Sequence, residues 1–150
     1  MSQSLAKVLL HLVFHTKGGE HLIPETLEDE LHAYIAGICR GQGSEAYRVG
    51  GTPNHVHVAC TLPRTLSISS LVQQIKPNSS TWIKDNAADS QNFQWQGGYG
   101  AFSLGQSQLD SLIRYIDNQK EHHKKISFRD ELIKIMDKYG VEYDERYLWE

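Results

Sequence analysis

The sequence predicts an α+β domain: a four-stranded antiparallel sheet in the order βαββαβ, followed by additional C-terminal helices. Three observations carry this reading. Short apolar runs alternate with a period of two, longer stretches repeat with a period near 3.6, and the two kinds are separated by glycine, proline and asparagine.

Residues 5–16, "LAKVLLHLVFHT", alternate as a strand does. Ala6, Val8, Leu10, Leu12 and Phe14 share one face, and Lys7, His11 and His15 the other. "PETLEDELHAYIAGICRGQG" reads as a helix, with Leu27, Leu31, Tyr34, Ile35 and Ile38 at helical spacing. Thr26 with Asp29 resembles a capping box, and Gly41 or Gly43 is placed to end it. "EAYRVGG" and "HVHVACTL" are two strands joined through the turn "GGTPN". "SISSLVQQIKPNSSTWIKDN" is helical, with a bend or break expected near Pro77. "FQWQGGYGAFSLG" reads as a glycine-punctuated strand. "SQLDSLIRYIDNQKEHHKK", from Ser107, is an amphipathic helix, and "FRDELIKIMDKYG" is another, ending at Gly140.

That order is the split-βαβ, ferredoxin-like one. It makes the first and third strands central neighbours and leaves one face of the sheet open, to be covered by the C-terminal helices.

With 150 residues, one domain spanning 1–150 is expected. A hydrophobic content of 39% and a charged content of 22% fit a globular protein. No apolar run approaches the ~20 residues that span a bilayer. The N-terminal apolar run is interrupted by His11 and His15 and makes a poor secretory signal. Cys39 and Cys60 fall within a helix and a strand, as buried thiols of a reducing cytoplasm do. The net charge of −3 argues mildly against a general nucleic-acid binder. Its distribution is uneven, however. "RYIDNQKEHHKKISFR" gathers Arg114, Lys120, Lys124, Lys125 and Arg129, which read either as a basic binding face or as a solvated helix face.

The second short strand carries "HVH". Alternation puts His55, His57, Ala59 and Thr61 on one face and Val56, Val58, Cys60 and Leu62 on the core face. The histidines therefore lie on the side of His11 and His15. Two imidazoles at i and i+2 suit a divalent metal, but two ligands are too few. A histidine-triad nucleotide hydrolase would need histidine where Ala59 stands. A cupin would need a glutamate near Thr61 and Leu62.

On the helix from Ser107, Leu109, Leu112, Ile113 and Ile116 form the apolar stripe. Tyr115, Gln119 and His122 form a column on its shoulder, and His123 lies nearer the stripe's centre. If this helix covers the open sheet face, Tyr115 and Gln119 come within reach of His55 and His57. An imidazole pair, an amide oxygen and a phenol suit phosphodiester cleavage by a tyrosine nucleophile, with a divalent ion polarising the phosphate.

"HVH" resembles the His-hydrophobe-His motif of the HUH endonucleases. "YIDNQ", "GYGAFS", "YIDNQKEHH" and "VEYDERYLW" resemble the single-tyrosine transposases of the IS200/IS605 type. The resemblance implies His55, His57 and Gln119 as metal ligands, Tyr115 as nucleophile, and Mg²⁺ or Mn²⁺ as cofactor. It implies single-stranded DNA with hairpins as substrate, and a homodimer with active sites shared between subunits. It also implies a cytoplasmic setting in a bacterium or archaeon. Lys17, Lys120, His122, His123 and Lys124, with His11 and His15, are candidate DNA contacts or supports of the site. The chain departs from many relatives at Asn54, where they carry an acid before the first motif histidine. It also has only Lys17 as a basic residue after the first strand, in "HTKGGEHLIP".

Two further readings stay open on the sequence: a domesticated relative that processes genomic repeat hairpins, and an inactive nucleic-acid-binding module. Trp82, Phe93 and Trp95 are candidate base platforms, with core packing the expected fate of at least two.

Overall fold

The computed structural model describes residues 2–148; Trp149 and Glu150, the former ending the "VEYDERYLW" stretch, lie outside the described residues. Its elements are β1 (Leu9–His15), α1 (Glu28–Gly41), β2 (Ala46–Thr52), β3 (His55–Thr61), α2 (Ile68–Asn86), β4 (Gly100–Leu104), α3 (Leu109–Asp117), α4 (Gln119–His122), α5 (Phe128–Tyr139) and α6 (Glu145–Leu148). The sheet order is β2-β3-β1-β4 and all three pairings are antiparallel, so β1 and β3 are the central neighbours, as expected.

Leu10, Leu12, Phe14, Val56, Val58 and Cys60 point to one side. There they pack with Leu31, Ile35 and Cys39 of α1 and Leu71, Val72, Ile75 and Ile83 of α2. The opposite face is covered by the C-terminal helices, as the topology requires. Leu9 and Ala59 meet Leu109 and Ile116 of α3, and Val13 and Phe102 meet Phe128, Leu132 and Met136 of α5. The two cysteines are free and buried.

Four local expectations are corrected. The Thr26–Asp29 capping box does not form. A short 3-10 turn over Glu25–Leu27 leads into α1, whose N-cap is Leu27 without a side-chain cap. The first-turn acids Glu28, Asp29 and Glu30 suit the positive end of the helix dipole instead.

Helix α2 runs unbroken through Pro77, because Leu71, Val72 and Ile75 before it and Ser79 and Ile83 after it are seated on the same core. The long strand over 93–105 reduces to β4. Upstream, Gly98 at φ 85° turns the chain, and only Trp95 bridges to the sheet, opposite Thr16. Phe93 and Trp95 go into the core, Trp95 edge-on to Phe14, whereas Trp82 stacks on Tyr34.

The helix expected over 107–125 is divided at Asn118, whose ψ of 11° ends α3 before α4 begins. Helix α5 ends as read, on Gly140 in the left-handed region at φ 66°.

Candidate metal and tyrosine site

Strand alternation delivers His55 and His57 to the face beneath α3 to α5, where both are fully buried. Across the ladder, His15 stands opposite His55 and His11 opposite Ala59. Burial makes imidazolium costly, and it lowers His55 to about 4 and His11 to about 3. These rings are neutral at ordinary pH, so the hydrogen each carries on one nitrogen decides what the other offers.

For His55 that choice is fixed by Asn54. The Asn54 amide nitrogen donates to the Gly19 carbonyl at 3.2 Å, which turns its Oδ1 toward the ring. Oδ1 lies 2.7 Å from His55 Nδ1 and accepts its hydrogen; the Thr52 hydroxyl lies 3.0 Å from the same nitrogen. The Nε2 lone pair then faces inward. The amide of Asn54 thus orients the His55 ring. His57 Nδ1 lies 2.8 Å from His11 Nε2, and with the shared hydrogen on His57 its Nε2 faces inward as well.

Helix α3 reaches the site because β2 makes room for it. A Cβ at Gly50 would lie 2.7 Å from Ile116 Cγ2, so only glycine allows this approach. One residue before Ile116, Tyr115 sets its ring edge-on to His57, 5.6 Å between centroids. After the break at Asn118, Gln119 is buried with Oε1 2.8 Å from His55 Nε2. Thus His55, His57, Tyr115 and Gln119, singled out in the sequence, come together within one chain.

The structure adds Glu131, which the sequence reading missed. Helix α5 holds its carboxylate at 1% exposure, with Oε1 3.1 Å from His57 Nε2, 3.3 Å from His55 Nε2 and 3.0 Å from His123 Nε2. Oε2 accepts from the Gln119 amide at 2.9 Å and from the Tyr115 hydroxyl. Burial by itself penalises the charge, but the polar surroundings formed by His123, His55 and His57 outweigh it and hold the carboxyl well below the usual range. Burial, then the Glu131 hydrogen bond and charge, push the Tyr115 phenol well above its usual range, so it stays protonated and donates to Glu131. A signal for Glu131 did exist in the sequence. It sits three residues after Phe128 and four before Ile135, an acid on the apolar side of its helix.

Of the other candidates, His11 supports His57, and His123 is held by the Ile126 carbonyl at 2.8 Å against Glu131. His122 Nε2 lies 3.4 Å from Glu131 Oε2, and His15 lies against Phe128, 5.3 Å between ring centroids. The lysines stand apart from the cluster. Lys17 is exposed, Lys120 pairs with Glu28 at 3.2 Å and Lys124 with Glu121 at 2.8 Å. Much of the basic segment is therefore a solvated, acid-paired face.

The donor set fits a divalent ion. His55, His57 and Glu131 each offer an atom within 4.8 Å of the others, and Gln119 Oε1 adds a neutral oxygen. With Nδ1 hydrogens directed outward, lone pairs on nitrogen face lone pairs on oxygen, an arrangement that a cation relieves. Beside it a cleft of about 540 Å³ opens between α3 and α5, lined by Tyr115, His122, Glu131, Leu112, Lys134 and Tyr139. Among the described residues no helix is long and apolar enough to cross a membrane.

Comparison with known proteins gives a consistent result. The family model described as IS200-like transposase matches residues 4–119. No curated protein matches the chain. Among solved structures, a putative transposase from Deinococcus radiodurans R1 aligns at 19% identity and a TM-score of 0.61, covering 79% of this chain and 98% of its own. A REP-associated tyrosine transposase bound to a REP hairpin aligns at 19% identity and a TM-score of 0.60, covering 84% of this chain and 76% of its own.

Proposed function

The chain belongs to the IS200-like transposase family, and we propose that it cuts and rejoins single-stranded DNA at hairpin-bearing ends, with Tyr115 as nucleophile. The observation that carries this is the convergence of two inward-facing imidazoles, an amide oxygen and a phenol at the edge of one cleft. In the family, strand cleavage is the chemistry that this donor set serves.

His55, His57 and Gln119 would hold Mg²⁺ or Mn²⁺, and the ion would supply Lewis acidity at the scissile phosphate. Asn54 holds His55 in the ligating tautomer, and His11 is placed to accept the Nδ1 hydrogen of His57. The cleft between α3 and α5 admits the strand to the side of Tyr115 that is not packed on the sheet. The phenolic oxygen forms a bond to phosphorus while the bond to the 3′-oxygen breaks, leaving a 5′-phosphotyrosyl link and a 3′-oxyanion that takes a proton from water to become the 3′-hydroxyl. The phenolic hydrogen has an acceptor in place, Glu131 Oε2. A weak acceptor suffices, because a phenol oxygen bonded to phosphorus loses its proton readily. The link retains the energy of the phosphodiester, so attack by another 3′-hydroxyl reseals the strand without a nucleotide triphosphate.

The hairpin-bound relative supports a hairpin-bearing single strand as the partner, and the family resemblance carries a bacterial or archaeal cytoplasm with it. The resemblance carries a homodimer with shared sites. Contacts of Tyr115 and Gln119 with the chain's own histidines favour a site complete within each subunit of such a pair. The same chemistry serves a mobile element or a relative acting on genomic repeats, and flanking hairpins beside the gene would mark the former.

Purified protein incubated with a hairpin-bearing oligonucleotide and Mn²⁺ is expected to nick the strand and form an adduct that survives denaturing electrophoresis, and chelation is expected to abolish both. Nicking without an adduct would contradict the proposal.

A further inference from the structure

We infer that Glu131 is itself a ligand of the metal through Oε1, and that Oε2 of the same carboxylate fixes the Tyr115 hydroxyl, so that a segment beyond the family-matched region completes the site. This rests on the reading of the site as a metal-dependent centre. The match to the family ends at residue 119, and Glu131 lies beyond it on α5.

Three separations match those between ligands that share one ion. Ligand atoms about 2.1 Å from a common ion lie about 3.0 Å apart at octahedral angles and about 3.4 Å apart at tetrahedral ones. Glu131 Oε1 stands 3.1 Å from His57 Nε2 and 3.3 Å from His55 Nε2, while Gln119 Oε1 stands 2.8 Å from His55 Nε2. The His55 nitrogen presents a lone pair to that oxygen, since Asn54 Oδ1 takes the opposite ring hydrogen, and His57 does the same in the tautomer that donates from Nδ1 to His11. A carboxylate charge at 1% exposure is costly, and a divalent cation beside it is a natural counter-charge.

A competing group, His122, His123 and Glu131, also brings ligand atoms within 4.8 Å. It is weaker, because His122 and His123 approach different oxygens of Glu131 and the His122 side chain is 32% exposed. Glu131 thereby joins ion and nucleophile through one side chain. Its Oε2 also receives the Gln119 amide at 2.9 Å, which turns Gln119 Oε1 toward His55. Two elements, α4 and α5, are thus held to one ion.

The test is Mn²⁺ binding, followed by the spin-resonance signal of free Mn²⁺, alongside adduct formation on a hairpin oligonucleotide. Glu131→Gln keeps the shape and removes the charge, and it is expected to weaken Mn²⁺ about ten- to a hundredfold. Glu121→Gln, on an exposed acid paired with Lys124, is expected to leave it unchanged. A second measurement needs no variant: anomalous diffraction at the manganese edge from the wild-type protein is expected to place the ion about 2.1 Å from Glu131 Oε1, between His55 and His57. Wild-type affinity in Glu131→Gln overturns the inference. So does an ion on His55, His57 and Gln119 with Glu131 out of reach, or one between His122 and His123. In each of those cases a wild type that still forms the adduct leaves the proposed function standing. A wild type that neither binds Mn²⁺ nor forms an adduct removes that function, and the inference with it.

Discussion

On the face of the sheet under α1 and α2, strands β1 and β3 present Leu10, Leu12, Phe14, Val56, Val58 and Cys60; on the face under α3 to α5 the same strands present His11, His15, His55 and His57. Both sets are buried, yet burial does opposite things to them. On the first face, removing apolar area from water is the stabilising term. On the second, burial desolvates imidazole, phenol and carboxylate and depends on hydrogen bonds to offset that cost. Two adjacent residues of one strand, Val56 and His57, thus belong to different energetics. The second face also buries apolar area against α3 and α5, but it alone carries the reactive groups, and substitutions should separate the two roles.

The largest expected effect is on the reactive face. Tyr115→Phe should abolish the DNA adduct, on the order of 10⁴-fold or more, while the melting temperature shows no large loss. An adduct that persists in this variant would remove Tyr115 from its role.

Leu12→Ala tests the other face. Leu12 is wholly buried, and its truncation should cost about 2–5 kcal/mol in denaturant unfolding. The protein that remains folded should bind Mn²⁺ as the wild type does; a matching loss of affinity would break the separation.

Gly50→Val lies where the faces communicate, because a side chain there meets Ile116. Displacing α3 should cost about 1–3 kcal/mol of stability. It should also slow adduct formation about a hundredfold through misplacement of Tyr115. Unchanged kinetics would show that the tyrosine does not depend on this seat.

The smallest effect is in acid. Burial lowers His32 of α1 and His15 of β1 each to about 4 from 6.5. Because the unfolded chain takes up these protons first, stability is intact above about pH 6.5 and falls as pH drops toward 4. His32→Gln should reduce that acid loss by about 1 kcal/mol at pH 5, allowing for partial exposure, in melts across the pH range. A variant with the wild-type pH slope would show that His32 is not desolvated.

The difference between the faces also explains what the sequence made legible. Apolar alternation and helical spacing are local signals, and they marked the strands, α1, α5 and the inward side of "HVH". The pairing of that motif with Tyr115 and Gln119 was legible because one helix carries both residues at a recognisable spacing, even though the helix proves to be divided at Asn118. The shortening of the strand over 93–105 was not legible, because Trp95 and Phe93 are apolar in either structure and Gly98 decides the matter by its backbone. Glu131 was hidden for a different reason. It is one of 18 acidic residues, in a helix read only as a cover for the sheet. Its partners come from β3, α3, α4 and the turn before α5, a convergence that exists only after folding.

Peptide mapping of the wild-type protein after reaction with a hairpin-bearing single strand and Mn²⁺ tests the central claim most directly. Tandem mass spectrometry should find the nucleotide remnant joined through a 5′-phosphate to Tyr115, and no such product after chelation. Phosphate linked to another residue, or cleaved DNA with Tyr115 unmodified at every time point, would contradict it.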